Sequence, residues 1–145
     1  MPHRAIITGA SGGLGTVVVM AFAEAGWEVA GLDRSSGADL STPESARAAV
    51  DRAVTTLGGL DAVIHLVGGF SLGSMADTPD ETWRKMWSLN FESALYVLRA
   101  AVPHFHANGG GSMVVVGSKA GQEPSPGMTP YAVTKAALHA LVRCS

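Results

Sequence analysis

Short β-branched runs alternate with longer apolar-periodic stretches from one end of the chain to the other. RAIIT (Arg4 to Thr8) meets glycine at its end and reads as a buried strand. Leu14 to Glu24 reads as an apolar, alanine-containing helix closed by Gly26, and WEVAGLD (Trp27 to Asp33) as a second strand. RSSGADLS is polar and turn-forming, and predicts no helix before the next one. Pro43 sits in the first turn of a helix capped by Ser41 or Thr42, which runs to about Leu57 and stops at Gly58 and Gly59. DAVIHLVGG (Asp61 to Gly69) is a third strand, apolar throughout except for His65, and such continuity predicts a strand covered on both faces. Thr78 and Pro79 cap a helical stretch reaching roughly Ala107, SMVVVGS (Ser112 to Ser118) is a fourth strand, and Thr129 and Pro130 open the last helix. Strands alternating with helices predict an α/β fold with a doubly wound parallel sheet. No repeat or linker interrupts residues 1–145, so a single domain is expected.

Composition narrows the function classes. With 47% hydrophobic and 15% charged residues, the chain is a globular domain rather than a disordered tail. A net charge of −2 without clustered Lys or Arg argues against a nucleic-acid partner. No apolar run approaches membrane-spanning length, and MPHRAIIT enters a strand pattern without the apolar stretch of a signal peptide. A single cysteine, Cys144, allows no internal disulfide and suits a reducing compartment, so a cytoplasmic location is expected.

The first candidate chemistry lies in TGASGGLG, at the turn from strand one into helix one. Glycines there let backbone amides approach an anion, and the helix N-terminus adds a favourable dipole. The spacing of Gly9, Gly13 and Gly15 differs from G-x-G-x-x-G, and no G-K-[ST] follows. Asp33 ends the second strand, where a carboxylate can accept from adenosine ribose hydroxyls and would repel a 2′-phosphate. NAD is therefore favoured over NADP, although Arg34 follows directly. The alternative is that Asp33 is only a turn residue before Ser35, Ser36 and Gly37.

These motifs and three later ones resemble the short-chain dehydrogenases/reductases of the classical type, a Rossmann-like family. Thr8 to Gly15 follows its TGxxxGxG loop, LVGG (Leu66 to Gly69) stands at its NNAG, and SLN places Asn90 at its helix asparagine. GS, ending at Ser118, followed thirteen residues later by YAVTK from Tyr131, reproduces the spacing of its serine and Y-x-x-x-K. The resemblance covers the chain from end to end. It implies cofactor contacts from Thr8, Gly9, Ser11, Gly13, Leu14, Gly15 and Asp33, with Asp39 and Leu40 near the adenine, and from Val67, Gly68 and Gly69. It also implies an incomplete sheet on the C-terminal side, because the family continues through further strands, a nicotinamide-contacting loop, a substrate loop and interface helices. Asparagine is absent at the NNAG-like site, where His65 and Leu66 stand instead, so backbone contacts there could persist but asparagine side-chain bonds could not.

Tyr131 and Lys135 are one helical turn apart and share a face. A neighbouring ammonium favours tyrosinate, which makes Tyr131 the candidate acid–base group. Ser118, after the fourth strand, can hold the substrate oxygen. By resemblance, Lys135 also binds the nicotinamide ribose, while hydride passes between the nicotinamide and an alcohol/carbonyl substrate. Asn90 falls on the stripe of Trp83, Met86, Trp87, Ala94, Val97, Leu98 and Ala101. It either bends the helix and holds a proton-relaying water, as the family implies, or bonds a neighbouring carbonyl. Both tryptophans read as core packing.

His104 and His106 should point apart near a helix end, His65 should be a hydrogen-bonded core residue, and no metal site is expected. Three readings stand: an NAD(P)-dependent oxidoreductase acting on a small molecule, a catalytically inactive dinucleotide-binding fragment, or a binding module whose sheet edge a partner completes. A homo-oligomer is compatible with each.

Overall fold

The structure, a computed structural model, describes all residues from Met1 to Ser145. Four parallel strands, β1 (Arg4–Thr8), β2 (Glu28–Leu32), β3 (Ala62–His65) and β4 (Ser112–Val115), form one sheet in the order β2-β1-β3-β4. The helices are α1 (Gly13–Glu24), α2 (Pro43–Leu57), α3 (Asp80–Trp87), α4 (Ser93–Ala107) and α5 (Thr129–Arg143). Two compact units divide the chain: Met1–Leu66 with Tyr96–Val115, and Val67–Leu95 with Val116–Ser145.

The first unit holds the sheet. Alternate residues of β1 and β3 point to opposite faces. Ala5, Ile7, Ala62 and Ile64 pack with Val18, Val19 and Phe22 of α1. Ile6 and Val63 alternate to the other face and are equally buried. That face is covered by α2, through Ala46, Ala49, Val50 and Ala53. Burial on both sides is what the unbroken apolarity of these strands requires. A polar cluster fastens the N-terminal ends of β1 and β3: the Arg4 side chain donates to Asp61 at 3.1 Å, to the Gly58 carbonyl at 2.7 Å and to Asn108 at 3.0 Å. β4 is an edge strand, with Val114 half exposed.

Strands β3 and β4 are shorter than expected, ending at His65 rather than Gly69 and at Val115 rather than Ser118. The reason for β3 is local. Thr8 pairs with His65 in the last rung, after which Gly9 turns away at φ 64 and removes the neighbouring strand. The stretch from Arg34 also differs: Arg34–Ser36 forms one 3-10 turn, with Asp33 as its cap. Thr42 is the cap of α2.

In the second unit, the expected long helix is interrupted by a π-helical segment, Ser88–Glu92, in which the Ser93 amide reaches back to the Ser88 carbonyl. The predicted stripe survives at Met86, Asn90 and Ala94, but Trp87 lies partly exposed against Phe91, with centroids 5.0 Å apart, rather than in the core. One extra residue in a turn shifts the helical phase, and Trp87 falls off the buried face. On α4, His104 Nε2 lies 2.7 Å from the Asp51 carboxylate on α2. No helix is long and apolar enough to cross a membrane.

Ile7 is fully buried at the centre of the sheet. Ile7→Ala should lower unfolding free energy by about 2–5 kcal/mol in urea titration. A loss under about 1 kcal/mol would contradict the packing described.

Candidate active site

The glycine loop belongs to the first unit. Gly12 caps α1 with no side-chain bond, and its amide goes to the Gly9 carbonyl at 3.1 Å. The Ser11 amide goes to Asp33 Oδ2 at 2.7 Å. The donors left at the open end of α1 are therefore the first-turn amides of Gly13, Leu14 and Gly15. Gly15 is obligatory, because a Cβ there would lie 2.0 Å from the Gly9 carbonyl oxygen. Thr8 is fully buried and works inside the fold: its hydroxyl accepts from the Leu66 amide at 3.1 Å and lies 2.9 Å from His65 Nδ1.

Asp33 is more than a turn residue. Oδ1 accepts from the Ser35 hydroxyl at 2.5 Å and the Ser36 amide at 3.0 Å, while Oδ2 takes the Ser11 amide. The Ser35 hydroxyl foremost, with Ser11 and Ser36, outweighs slight burial and holds the carboxyl well below the usual carboxylate range. An open cleft of about 660 Å³ beside it is lined by Ala10, Ser11, Thr16, Gly31, Asp33 and Ser35 among others. Asp39 is exposed and bonded to the Ser41 amide at 2.9 Å, whereas the Leu40 side chain is buried, leaving only its backbone for a ligand.

The second unit gathers the remaining candidates. Asn90 is fully buried and holds Gly69 from both sides, Oδ1 accepting its amide at 2.8 Å and Nδ2 donating to its carbonyl at 3.0 Å. Nδ2 also donates to Thr134 Oγ1 at 3.1 Å. Both Gly69 backbone groups are thereby engaged, the carbonyl by one bond that leaves its second lone pair. Lys135 is buried, donates from Nζ to the Val116 carbonyl at 2.9 Å, and lies 6.0 Å from the Tyr131 ring centroid. Its burial pushes the ammonium below its ordinary pKa. Ser118 heads a 3-10 turn, Lys119–Gly121, and its Oγ accepts the Ala120 amide at 3.2 Å, which leaves the hydroxyl proton free to donate.

A match to the family model described as short chain dehydrogenase runs over residues 3–145. The chain belongs to that family. Its relatives include the uncharacterized oxidoreductase YvrD of Bacillus subtilis, 29% identical over 95% of this chain and 59% of YvrD. Another is the 4-formylbenzenesulfonate dehydrogenase TsaC1/TsaC2 of Comamonas testosteroni, 32% identical over 92% of this chain and 62% of that protein. Among solved structures, gox2181 aligns at TM-score 0.88 and 25% identity, over 99% of this chain and 65% of that one. The NADPH-dependent 3-quinuclidinone reductase from Rhodotorula rubra aligns at 0.88 and 29%, over 98% and 62%. The chain thus spans about three-fifths of the length of the relatives it matches.

The second unit also holds contacts between distant parts of the chain. Phe70 stands edge-on to Tyr131, with centroids 4.9 Å apart, although it is 62% exposed. The loop after Gly69 is tied to the loop before α5 by Gly73, which donates to the Gly127 carbonyl at 2.8 Å and accepts from Thr129 at 3.0 Å. Nothing in a single sequence signals that pairing. Thr134 and His139 were legible in principle, since both lie on α5 near the faces of Tyr131 and Lys135.

The carboxyl of Asp33 yields a pH prediction. Its folded pKa is depressed, so its stabilising bonds are fully present above the unfolded carboxylate value of about 3.9 and are lost as pH falls toward the folded value. Asp33→Asn should therefore be less stable than wild type by a constant margin from about pH 5 to pH 8, and that margin should shrink below about pH 4. Denaturant titration across this range tests it; a margin that grows toward acid would refute the assignment.

Proposed function

We propose that this chain carries the nucleotide-binding and acid–base parts of an NAD(P)-dependent oxidoreductase that acts on an alcohol/carbonyl pair. The observation that carries the reading is α5, which sets Tyr131 and a buried Lys135 on one face and holds the Val116–Ser118 segment to itself through the Val116 carbonyl. When bound, the nicotinamide would supply or accept the hydride.

The residues divide the remaining work. Ser118 donates a hydrogen bond from its hydroxyl to the substrate oxygen and orients it, keeping its proton. Tyr131 exchanges a proton with that oxygen, and the Lys135 ammonium favours the tyrosinate that this requires. One Lys135 N–H is spent on Val116, leaving two for the ribose hydroxyls of the cofactor. Asn90 holds Gly69 and the π-helical segment in place; both Nδ2 protons are engaged, so a relaying water would bond only to the spare lone pair of Oδ1. For the nucleotide, Asp33 would take the ribose hydroxyls and the first-turn amides of Gly13, Leu14 and Gly15 the pyrophosphate. An ionised Asp33 favours NAD, with NADP second because Arg34 is adjacent. Phe70 would flank the path by which a substrate reaches Tyr131.

A second reading, a dinucleotide-binding module without turnover, draws on the half-exposed Val114 of the edge strand β4, which a partner strand could cover.

Titration with NADH, followed by tryptophan quenching and heat, should show one saturable site, weakened about tenfold or more by Asp33→Ala. With a panel of alcohols and carbonyls, turnover at the nicotinamide absorbance should appear and fall by about a hundredfold or more in Tyr131→Phe. Binding without turnover on the whole panel would favour the second reading, and no binding would overturn both.

A further inference from the structure

The reading above leaves one half-buried ring of α5 unused. His139 lies one turn beyond Lys135 and two beyond Tyr131, so the three share a face. Its Nε2 accepts the Ser118 amide at 3.2 Å. Between this bond and the one from Lys135 to the Val116 carbonyl lies Gly117, where a Cβ would meet His139 Nε2 at 2.2 Å. Three consecutive residues are thus fitted to α5: Val116 by a donor, Gly117 by absence of a side chain, Ser118 by an acceptor.

We propose that His139 is the positioning residue that fixes Ser118 in register with Tyr131, acting as a neutral imidazole protonated on Nδ1. An Nε2 that accepts carries no proton, so the proton of the neutral ring is on Nδ1. That Nδ1 is buried and has no hydrogen-bond partner. A ring retained only for packing would leave no orphaned polar atom if it were replaced by leucine or phenylalanine. The polar bond the ring does make goes to the backbone of the residue whose hydroxyl holds the substrate. With its amide fixed by His139 and its Oγ fixed by the Ala120 amide, Ser118 keeps an extended backbone (φ −155, ψ 147) and one hydroxyl direction. Sequence alone carried the hint, since the spacing of 131, 135 and 139 is regular.

The positioning role rests on the reading of Ser118 as the group that holds the substrate oxygen; the hydrogen bond does not. The full chain, labelled with ¹⁵N, should show an imidazole protonated on Nδ1 and a Ser118 amide protected from exchange. His139→Leu keeps bulk without an acceptor, and Ser118 should exchange about tenfold faster, the scale of one lost hydrogen bond. His139→Gln places an amide oxygen near the former Nε2 and should restore protection. In turnover, His139→Leu should lower kcat about tenfold with NADH affinity unchanged, and His139→Gln should recover most of it. An Nε2-protonated ring, equal Ser118 exchange in wild type and His139→Leu, or equal kcat in the two despite altered exchange would overturn the proposal. A wild-type chain without turnover but with the protected amide lost only in His139→Leu would sink the proposed oxidoreductase while supporting the anchor.

Discussion

A single buried carboxamide governs the second unit. Asn90 has no exposed surface and answers both backbone groups of Gly69, twenty-one residues earlier, together with the hydroxyl of Thr134 on α5. A buried amide without partners costs about 1–3 kcal/mol, so this position is stable only where the turn after β3, the helical segment and α5 converge on it. The π-helical segment Ser88–Glu92 is the local consequence. The wider turn brings Asn90 to Gly69 and displaces Trp87 from the buried stripe. What looks like a helix asparagine in the sequence is a three-way junction in the structure.

The first unit is organised around another satisfied polar group. Asp33 binds the glycine loop through Ser11 and its own turn through Ser35 and Ser36. The strand end and the glycine loop are thereby locked together, and the carboxyl stays ionised over the ordinary pH range. Asp33 is thus a turn residue that also ties the glycine loop to the end of β2.

Much of the candidate site was legible because its signals are local. Tyr131 and Lys135 share a face through helical periodicity, Gly15 follows from a crowded turn, and a continuous apolar run marks a strand buried on both sides. The residues that escaped are those whose partners lie far away along the chain. Phe70 meets Tyr131 across sixty-one positions, Gly73 pairs with Gly127, and His139 reaches Ser118. Helical spacing can place His139 on the face of Tyr131 and Lys135, but it does not encode the partner met there.

The sequence by itself determined the order of strands and helices, the cap and end of α2, the glycine loop and the family. These depend on residue type, on spacing within one or two turns, and on which backbone conformations glycine and proline permit. Tertiary structure decided where β3 and β4 stop, because a strand ends when its neighbour turns away. It also decided that Thr8 works within the fold, that His104 answers Asp51, and that Leu40 buries its side chain. Each outcome turns on which polar groups lose contact with water, and on whether a partner is there to replace it.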